Sequence, residues 1–150
     1  MKLVLLRHGE AGFDAISDEQ RSLTANGRLR LEQMLEQHCG LLDDVERAVH
    51  SPYLRTCQTA ELVNQYRETE LQALSLLTPE SSAAAVIEWL ALQPDQALLL
   101  VTHQPLIGNL VSLLCEGDLS RPEPMLPGAM AVIELEFLAA GLGRLQMQVR

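Results

Sequence analysis

Short apolar runs alternate along the chain with stretches of helical periodicity. Residues 2–6 and 97–101 are apolar runs bounded by polar residues, a pattern that favours buried strands. The run at 97–101 contains no polar residue, which is typical of a strand in the centre of a sheet. Residues 45–49 predict a second strand, and residues 71–77 predict a short further one with a weaker pattern. The runs therefore indicate a sheet whose strands are separated along the chain.

Between these runs lie segments with the apolar spacing of amphipathic helices. Residues 24–38 predict a helix with Leu31, Met34 and Leu35 on its apolar face, and Gly40 is placed to stop it. Three more helices are predicted to begin at dipeptides that end in proline, a residue suited to the first helical position: Ser51-Pro52, Thr78-Pro79 and Gln104-Pro105. Each of these segments presents an apolar face that can cover a sheet.

The last part of the chain lacks helical periodicity. Residues 130–136 predict a strand, Gly141 and Gly143 mark a turn, and apolar and polar residues then alternate over 144–149, as in a terminal β-hairpin. Strands that alternate with helices, followed by two strands without a helix, indicate an α/β fold with a largely parallel sheet and an antiparallel end. No linker or repeat divides the chain, so we expect one domain over residues 1–150.

Composition and charge narrow the class of protein. The 150 residues, 47% hydrophobic and 21% charged, suffice for one globular domain. No apolar run approaches the roughly 20 residues that span a membrane, and the apolar start is too short for a secretory signal, so the expected location is the cytoplasm. A net charge of −9 disfavours nucleic acid and anionic membranes as partners. Lys2 is the only lysine among the 11 basic residues, so arginines are the main candidates for binding an anion.

Polar residues with catalytic potential follow three of the predicted strands. Arg7 and His8 follow the first strand, Arg55 lies one turn into the helix after the second, and His103 follows the central one. Each residue alone is usually structural, the histidines in the core and the arginines on the surface. Because ligands of open α/β sheets bind beyond the carboxyl ends of the strands, their joint occurrence predicts one anion-binding site, which the N-terminus of the second helix would support.

Four short motifs carry more information than the single residues. They are R-H-G at 7–9, L-T-x-x-G at 23–27, S-P-x-x-R-x-x-Q-T-A at 51–60 and T-H-Q-P at 102–105. In this order they resemble the motifs of the histidine phosphatase superfamily, the phosphoglycerate-mutase-like enzymes. The short length and the R-S-L-T stretch at 21–24 are most similar to the SixA-type protein phosphohistidine phosphatases.

This resemblance implies a fold, a mechanism and a kind of substrate. The implied fold is a three-layer sandwich with helices on both faces of the sheet. In the implied mechanism His8 attacks phosphorus and becomes phosphohistidine, which water then hydrolyses, while Arg7, Arg55 and His103 bind the phosphoryl group. Neither a metal ion nor another cofactor is implied. The implied partner is a phosphorylated protein, such as the histidine phosphotransfer domain of a phosphorelay.

Four further residues have candidate roles in or beside the predicted site. Glu80 is either the general acid that protonates the leaving group or an acid that favours the start of a helix. Arg21 either reaches the phosphate pocket or pairs with acids of the 14–19 loop. Gly9 is a further candidate for contact with the substrate. His50 ends a strand but lies outside the second motif, so core or rim packing is favoured for it.

Three functions remain open at this point. A phosphohistidine phosphatase is favoured, because a departing imidazole, with a pKa near about 6.5, needs little help from an acid. A phosphatase for small phosphate esters is the alternative within the superfamily. An inactive module that binds phosphoproteins is the alternative outside enzymes. The presence of both histidines and both arginines argues against it, because recognition alone would not need the implied nucleophile, His8.

Overall fold

A six-stranded sheet forms the centre of the structure, a computed structural model that describes residues 1–150. Its strands are β1 Lys2–Arg7, β2 Arg47–His50, β3 Glu70–Ala73, β4 Ala97–Thr102, β5 Met130–Leu135 and β6 Gly143–Val149. The helices are α1 Ala25–His38, α2 Leu54–Tyr66, α3 Ala83–Leu90 and α4 Leu106–Glu116. The strand order is β3-β2-β4-β1-β5-β6. The first four strands in this order pair in parallel, whereas β5 and β6 are antiparallel.

Two helices cover each face of the sheet. In β1, Leu3 and Leu5 pack in a core with α3 and α4, whereas Val4 and Leu6 pack in a second core with α1 and α2. Because successive side chains of a strand point to opposite faces, a strand covered on both sides is apolar at every position, as most of β1 and β4 are. The predicted three-layer α/β sandwich and its C-terminal hairpin are confirmed. None of the helices is both long and apolar enough to cross a membrane.

The first helix begins and ends where its sequence predicts. The Thr24 hydroxyl caps α1 by accepting a hydrogen bond from the Gly27 backbone N–H, at 2.9 Å. A side chain at Gly27 would collide with the Glu10 backbone, so this glycine allows α1 to pack directly against the segment after β1. α1 ends at His38, as predicted, and Gly40 lies two residues further on in a 3-10 turn, Cys39–Leu42, without the positive φ of a glycine cap.

The predicted start of the second helix, at Ser51-Pro52, is wrong. α2 begins at Leu54, and Tyr53 occupies the position before the helix without a capping side chain. Ser51 is completely buried, and its hydroxyl contacts the His103 ring instead of capping the helix. The Ser51 side chain, which the local sequence predicts to be a helix cap, is therefore used in a contact with a distant part of the chain.

The predicted start of the third helix, at Thr78-Pro79, is also wrong. The Thr78 hydroxyl lies 2.7 Å from the Ser81 hydroxyl within a turn. The cap is supplied later by Ser82, whose Oγ accepts a hydrogen bond from a backbone N–H in the first turn of α3. The segment 78–81 is therefore a connection, closed by one turn hydrogen bond from the Ser81 N–H to the Thr78 carbonyl at 3.1 Å.

The predicted strand at 71–77 is only partly correct. β3 ends at Ala73, and a 3-10 turn, Ser75–Leu77, follows it. Leu77 is completely buried, and its carbonyl accepts a hydrogen bond from the Thr102 hydroxyl at 2.6 Å. This bond ties the turn to the carboxyl end of β4, beside the predicted site.

Candidate active site

Adjacent strand ends bring the two predicted site histidines together. β1 and β4 pair in parallel with Arg7 opposite Thr102, so His8 and His103 follow them at the same edge of the sheet. Their ring centroids lie 5.1 Å apart in an edge-to-face arrangement. His8 is 6% exposed and His103 is 1% exposed. The two imidazoles therefore meet in a place largely shielded from water.

The first turn of α2 brings Arg55 to the same edge. β2 pairs with β4, so that its last residue, His50, lies opposite Val101. The chain then turns into α2, where Arg55 is buried and its Nε–H donates a hydrogen bond to Nε2 of His8 at 3.3 Å. An arginine separated from His8 by 47 positions thus touches its ring nitrogen.

The hydrogen bonds of His8 determine which of its ring nitrogens carries the proton and which carries the lone pair. Nδ1 lies 2.7 Å from the Gly9 carbonyl, which can only accept, so Nδ1 carries the proton. Nε2 then holds a lone pair, consistent with its bond from Arg55. Burial lowers the pKa of His8 to about 4, and the charges of Arg55, Arg7 and Arg21 contribute to that shift. At neutral pH the ring is therefore uncharged, with a lone pair on Nε2.

Arg7 contributes a positive charge that the protein only partly pairs. Its Nη1 donates to the Met125 carbonyl at 2.6 Å, and its buried Nε has no protein partner. Burial lowers the pKa of Arg7, as do the charges of Arg55 and Arg150. A bound anion would neutralise this cluster and satisfy the remaining donors.

The His103 ring is neutral and contacts both Ser51 and Tyr53. Burial lowers the pKa of His103 to about 3, and the nearby His8 and Arg55 contribute. Its Nε2 lies 2.8 Å from the Ser51 hydroxyl, whereas its buried Nδ1 has no protein partner. The Tyr53 ring packs edge-on against it with centroids 5.0 Å apart. One nitrogen is therefore held by the protein and the other is left for a ligand.

Asp18, which the sequence analysis did not single out, holds Arg55 in place. Nη1 of Arg55 donates to the Asp18 carbonyl at 2.6 Å, and Nη2 donates to its carboxylate at 3.3 Å. Partial burial alone would raise the pKa of Asp18, but hydrogen bonds from Arg21 and the charge of Arg55 hold it below the ordinary value. Asp18 is therefore an ionised positioning group. Its position three residues before Arg21 is the one sequence feature that could have indicated it.

Arg21 pairs with the acidic loop, one of its two predicted interpretations. Its Nη1 donates to the Asp18 carboxylate at 3.1 Å, and it also donates to the carbonyls of Gly12 and Ala11. The Phe13 ring lies over its guanidinium, 4.1 Å from centroid to Cζ. Arg21 thus contacts Arg55 through a shared carboxylate, and its charge also acts on His8.

Gly9 has a structural explanation in addition to its predicted contact with the substrate. A Cβ at this position would lie 2.6 Å from a methyl group of Leu31 and 3.2 Å from one of Leu23. The Gly9 N–H donates to the Thr59 hydroxyl at 3.2 Å, and its carbonyl holds Nδ1 of His8. The absence of a side chain lets this segment pack closely against α1 while the Gly9 carbonyl orients the His8 ring.

Glu80 and His50 differ from the four central residues in their surroundings. Glu80 is exposed in the turn before Ser82, so its predicted role at the start of a helix is wrong. It makes no hydrogen bond to the central residues. His50 is half-buried at the end of β2, where Nδ1 lies 2.8 Å from the Ser51 carbonyl and 3.7 Å from the Cys57 sulfur. His50 is therefore in rim packing, the interpretation favoured by its place in the sequence.

The chemistry that the carboxyl edge of the sheet can perform follows from this geometry. One uncharged imidazole offers a lone pair, and the other has an unpartnered nitrogen. Two guanidinium groups share the Asp18 carboxylate, and a third, that of Arg7, has no acidic partner. Such a cluster is suited to a tetrahedral anion and to attack on its central atom. The structure contains no group of three or more His, Cys, Asp or Glu side chains placed to hold a metal ion.

Comparison with known proteins places the chain in a family. The family model of the histidine phosphatase superfamily (branch 1) matches residues 3–78, which include Arg7, His8 and Arg55. The chain belongs to the histidine phosphatase superfamily. It is therefore a phosphatase, and the resemblance carried by its four motifs is confirmed.

Two relatives and one solved structure are similar to this protein over much or nearly all of the chain. The phosphohistidine phosphatase SixA of Escherichia coli K12 is 32% identical over 152 residues, 98% of this chain and 93% of that protein. The SixA homolog of Haemophilus influenzae is 35% identical over 126 residues, 76% of this chain and 77% of that protein. The structure of the protein histidine phosphatase SixA complexed with tungstate superposes with a TM-score of 0.88 at 33% identity, covering 99% of this chain and 96% of that one.

Proposed function

We propose that this protein removes the phosphoryl group from phosphohistidine on another protein through a phosphorylated His8. The observation that carries the proposal is the state of the His8 ring. The Gly9 carbonyl holds the proton on Nδ1, and Arg55 faces the lone pair on Nε2. Its low pKa keeps the ring uncharged at neutral pH. The relatives named as phosphohistidine phosphatases support the same substrate class.

In the first step Nε2 of His8 attacks the phosphorus atom of the substrate. The Nε2–P bond forms as the P–N bond to the substrate imidazole breaks. That imidazole, protonated on its other nitrogen, leaves as a neutral ring. His8 retains the proton on Nδ1, so the intermediate is a phosphoimidazolium whose N–H still donates to the Gly9 carbonyl.

In the second step water attacks the phosphorus atom and the Nε2–P bond breaks. The proton released by water goes to phosphate or solvent, and His8 returns as the same neutral tautomer. Arg7, Arg55 and His103 bind the phosphoryl oxygens in both steps and neutralise their charge. Phosphoryl transfer depends mainly on such positioning and neutralisation, because little other covalent chemistry is needed from the protein.

The carboxyl groups near the site favour a substrate with a good leaving group. Asp18 is ionised and shared by Arg55 and Arg21, so it is not a proton donor. Glu80 is exposed and bound to none of the central residues. An alkoxide leaving from an ester needs a proton, whereas imidazole, with its pKa near about 6.5, departs without one from an acid. The P–N substrate is therefore preferred over a phosphate ester.

The surface beside the site is suited to a protein substrate. Phe13 is 84% exposed and Ile16 is 91% exposed, and both lie on the loop that carries Asp18. Large apolar side chains next to a catalytic pocket favour contact with a macromolecule over a small, fully hydrated ester. A phosphorylated histidine phosphotransfer domain is the partner we propose.

A parallel release assay tests the proposal. Phosphate release is measured on a phosphohistidine protein and on a panel of alkyl phosphates, with the same enzyme concentration. We expect a higher kcat/KM on the phosphohistidine protein. A higher value on the esters would assign the chain to the small-molecule phosphatases of the superfamily, and binding without any release would assign it to phosphoprotein recognition.

A further inference from the structure

Ser51 lies against His103, and its surroundings restrict where its proton can go. The residue has no exposed surface. Its Oγ accepts a hydrogen bond from the Tyr53 backbone N–H at 3.3 Å and lies 2.8 Å from Nε2 of His103. The hydroxyl has one proton to donate, and Nε2 of His103 is the only acceptor within its hydrogen bonds. The hydroxyl proton is therefore directed at Nε2.

This bond fixes the tautomer of His103. A neutral imidazole that accepts at Nε2 carries its own proton on Nδ1. Nδ1 is buried and has no protein partner, and its ring packs edge-on against His8. The two site histidines thus have opposite hydrogen-bonding roles, because His8 presents a lone pair at Nε2 and His103 presents an N–H at Nδ1.

We propose that Ser51 is a positioning residue that keeps the proton of His103 on Nδ1, so that this N–H donates to a phosphoryl oxygen. The donation step rests on the proposed function, but the tautomer does not. In the free protein, the bond from Ser51 already holds the ring in the form needed to bind the anion. Without it, the form protonated at Nε2 becomes populated and loses the donor.

The tautomer is measured directly in a long-range ¹H–¹⁵N correlation spectrum of the ¹⁵N-labelled full chain at neutral pH. We expect the wild-type His103 signals of a protonated Nδ1 and a bare Nε2. In Ser51→Ala we expect a population protonated at Nε2. A wild-type spectrum with the proton on Nε2 would overturn the proposal even if Ser51→Ala does not fold, and so would a Ser51→Ala spectrum identical to wild type.

Ser112→Ala is the matched control. Ser112 is also a buried serine whose hydroxyl accepts a backbone N–H, from Glu123 at 2.8 Å, and it donates to the Arg121 carbonyl away from His103. It should leave the His103 signals unchanged. A shift of His103 to the Nε2-protonated form in this variant too would show that loss of any buried serine disturbs the site, and would overturn the proposal.

The rate of phosphohistidine hydrolysis provides a second result that is independent of the spectra. Loss of one neutral hydrogen bond changes a binding or rate constant about tenfold. The kcat/KM on a phosphohistidine protein should therefore fall about tenfold in Ser51→Ala and stay at the wild-type value in Ser112→Ala. If the wild type does not hydrolyse phosphohistidine, the proposed function fails while the spectra still decide the role of Ser51. An altered tautomer with unchanged kcat/KM would show that Nδ1 does not donate to the phosphoryl group.

Discussion

The two ends of the sheet both carry buried or half-buried arginines, but only one end is arranged to bind an anion. At the amino end, Nη2 of Arg47 binds the Asp95 carboxylate at 2.6 Å and the Gln93 side-chain oxygen at 3.0 Å, next to the Trp89 ring. At the carboxyl end, Arg55 and Arg21 share the Asp18 carboxylate, whereas Arg7 pairs with no acidic side chain and donates only to the Met125 carbonyl.

The difference lies in charge balance rather than residue type. Arg47 is matched by its own acid, so it stabilises the fold and has no need of a ligand. The carboxyl end has an excess of positive charge in a chain whose net charge is −9, and Arg7 keeps an unpartnered buried Nε. An arginine therefore indicates an anion site when its charge and N–H groups exceed what the protein supplies.

The largest effect is expected at His8, with His50 as its counterpart. Both histidines follow or end a strand, and both place Nδ1 near the carbonyl of the next residue, at 2.7 Å and 2.8 Å. Only His8 faces Arg55. His8→Ala should abolish phosphohistidine hydrolysis, whereas His50→Ala should keep most of it, as measured by phosphate release from a phosphohistidine protein. Comparable losses in the two variants would mean that strand-end geometry, and not the arginines, decides the nucleophile.

A steep but incomplete loss is expected for Arg55→Lys. Lysine keeps the charge but removes the planar group that binds His8, Asp18 and an anion at once, and loss of a donor to the transition state typically costs about 10²–10³ in kcat. Arg47→Lys is the matched variant at the other end of the sheet. It should leave kcat within about twofold of wild type and lower the free energy of unfolding by up to about 1 kcal/mol. Near-wild-type turnover in Arg55→Lys would place the anion elsewhere.

The buried imidazoles predict how stability depends on pH. The pKa of His8 is lowered from 6.5 to about 4 in the folded protein, so between these values the unfolded chain binds more protons. The free energy of unfolding therefore falls as the pH drops through this window, by about 2 kcal/mol between pH 7 and 5 for this one group. Urea unfolding at the two pH values should show a smaller drop in His8→Ala than in wild type, by about that amount. Equal drops would contradict a buried neutral His8.

The smallest effect is expected for Glu80→Gln. Glu80 is exposed and bound to none of the central residues, and an imidazole leaving group needs no acid. The variant keeps the shape of the side chain and removes its proton, so kcat on a phosphohistidine protein should stay within about twofold of wild type. A large loss would identify Glu80 as the general acid and would remove the chemical reason for preferring a P–N substrate.

The sheet and the four central residues were predictable because the relevant patterns are local. Continuous apolar runs give strands that are buried on both faces, and each strand end is followed directly by its motif. The first residues of the helices were harder to predict from the sequence. Ser51 and Thr78 each have the sequence of a cap, but the hydroxyl of one is taken by His103 and that of the other closes a turn with Ser81.

The contacts of Asp18 lie beyond what such patterns predict. Its partner Arg55 is 37 positions away, and only the folded loop brings its carbonyl and carboxylate to the same guanidinium. The pairing of Ser51 with His103, separated by 52 positions, is of the same kind. The sequence therefore predicted which residues meet at this edge of the sheet, whereas their orientation and their tautomers became apparent only from contacts between distant segments.

Trapping the phosphorylated enzyme tests the central claim most directly. Brief incubation with a phosphohistidine protein labelled with ³²P, followed by a rapid quench in base, should give a label on this chain that is stable in base and lost in acid, as expected of a phosphoramidate. Peptide mapping should place it on His8, and NMR of the labelled peptide should place phosphorus on Nε2. Label that persists in His8→Ala, or phosphorus on Nδ1, would contradict the account.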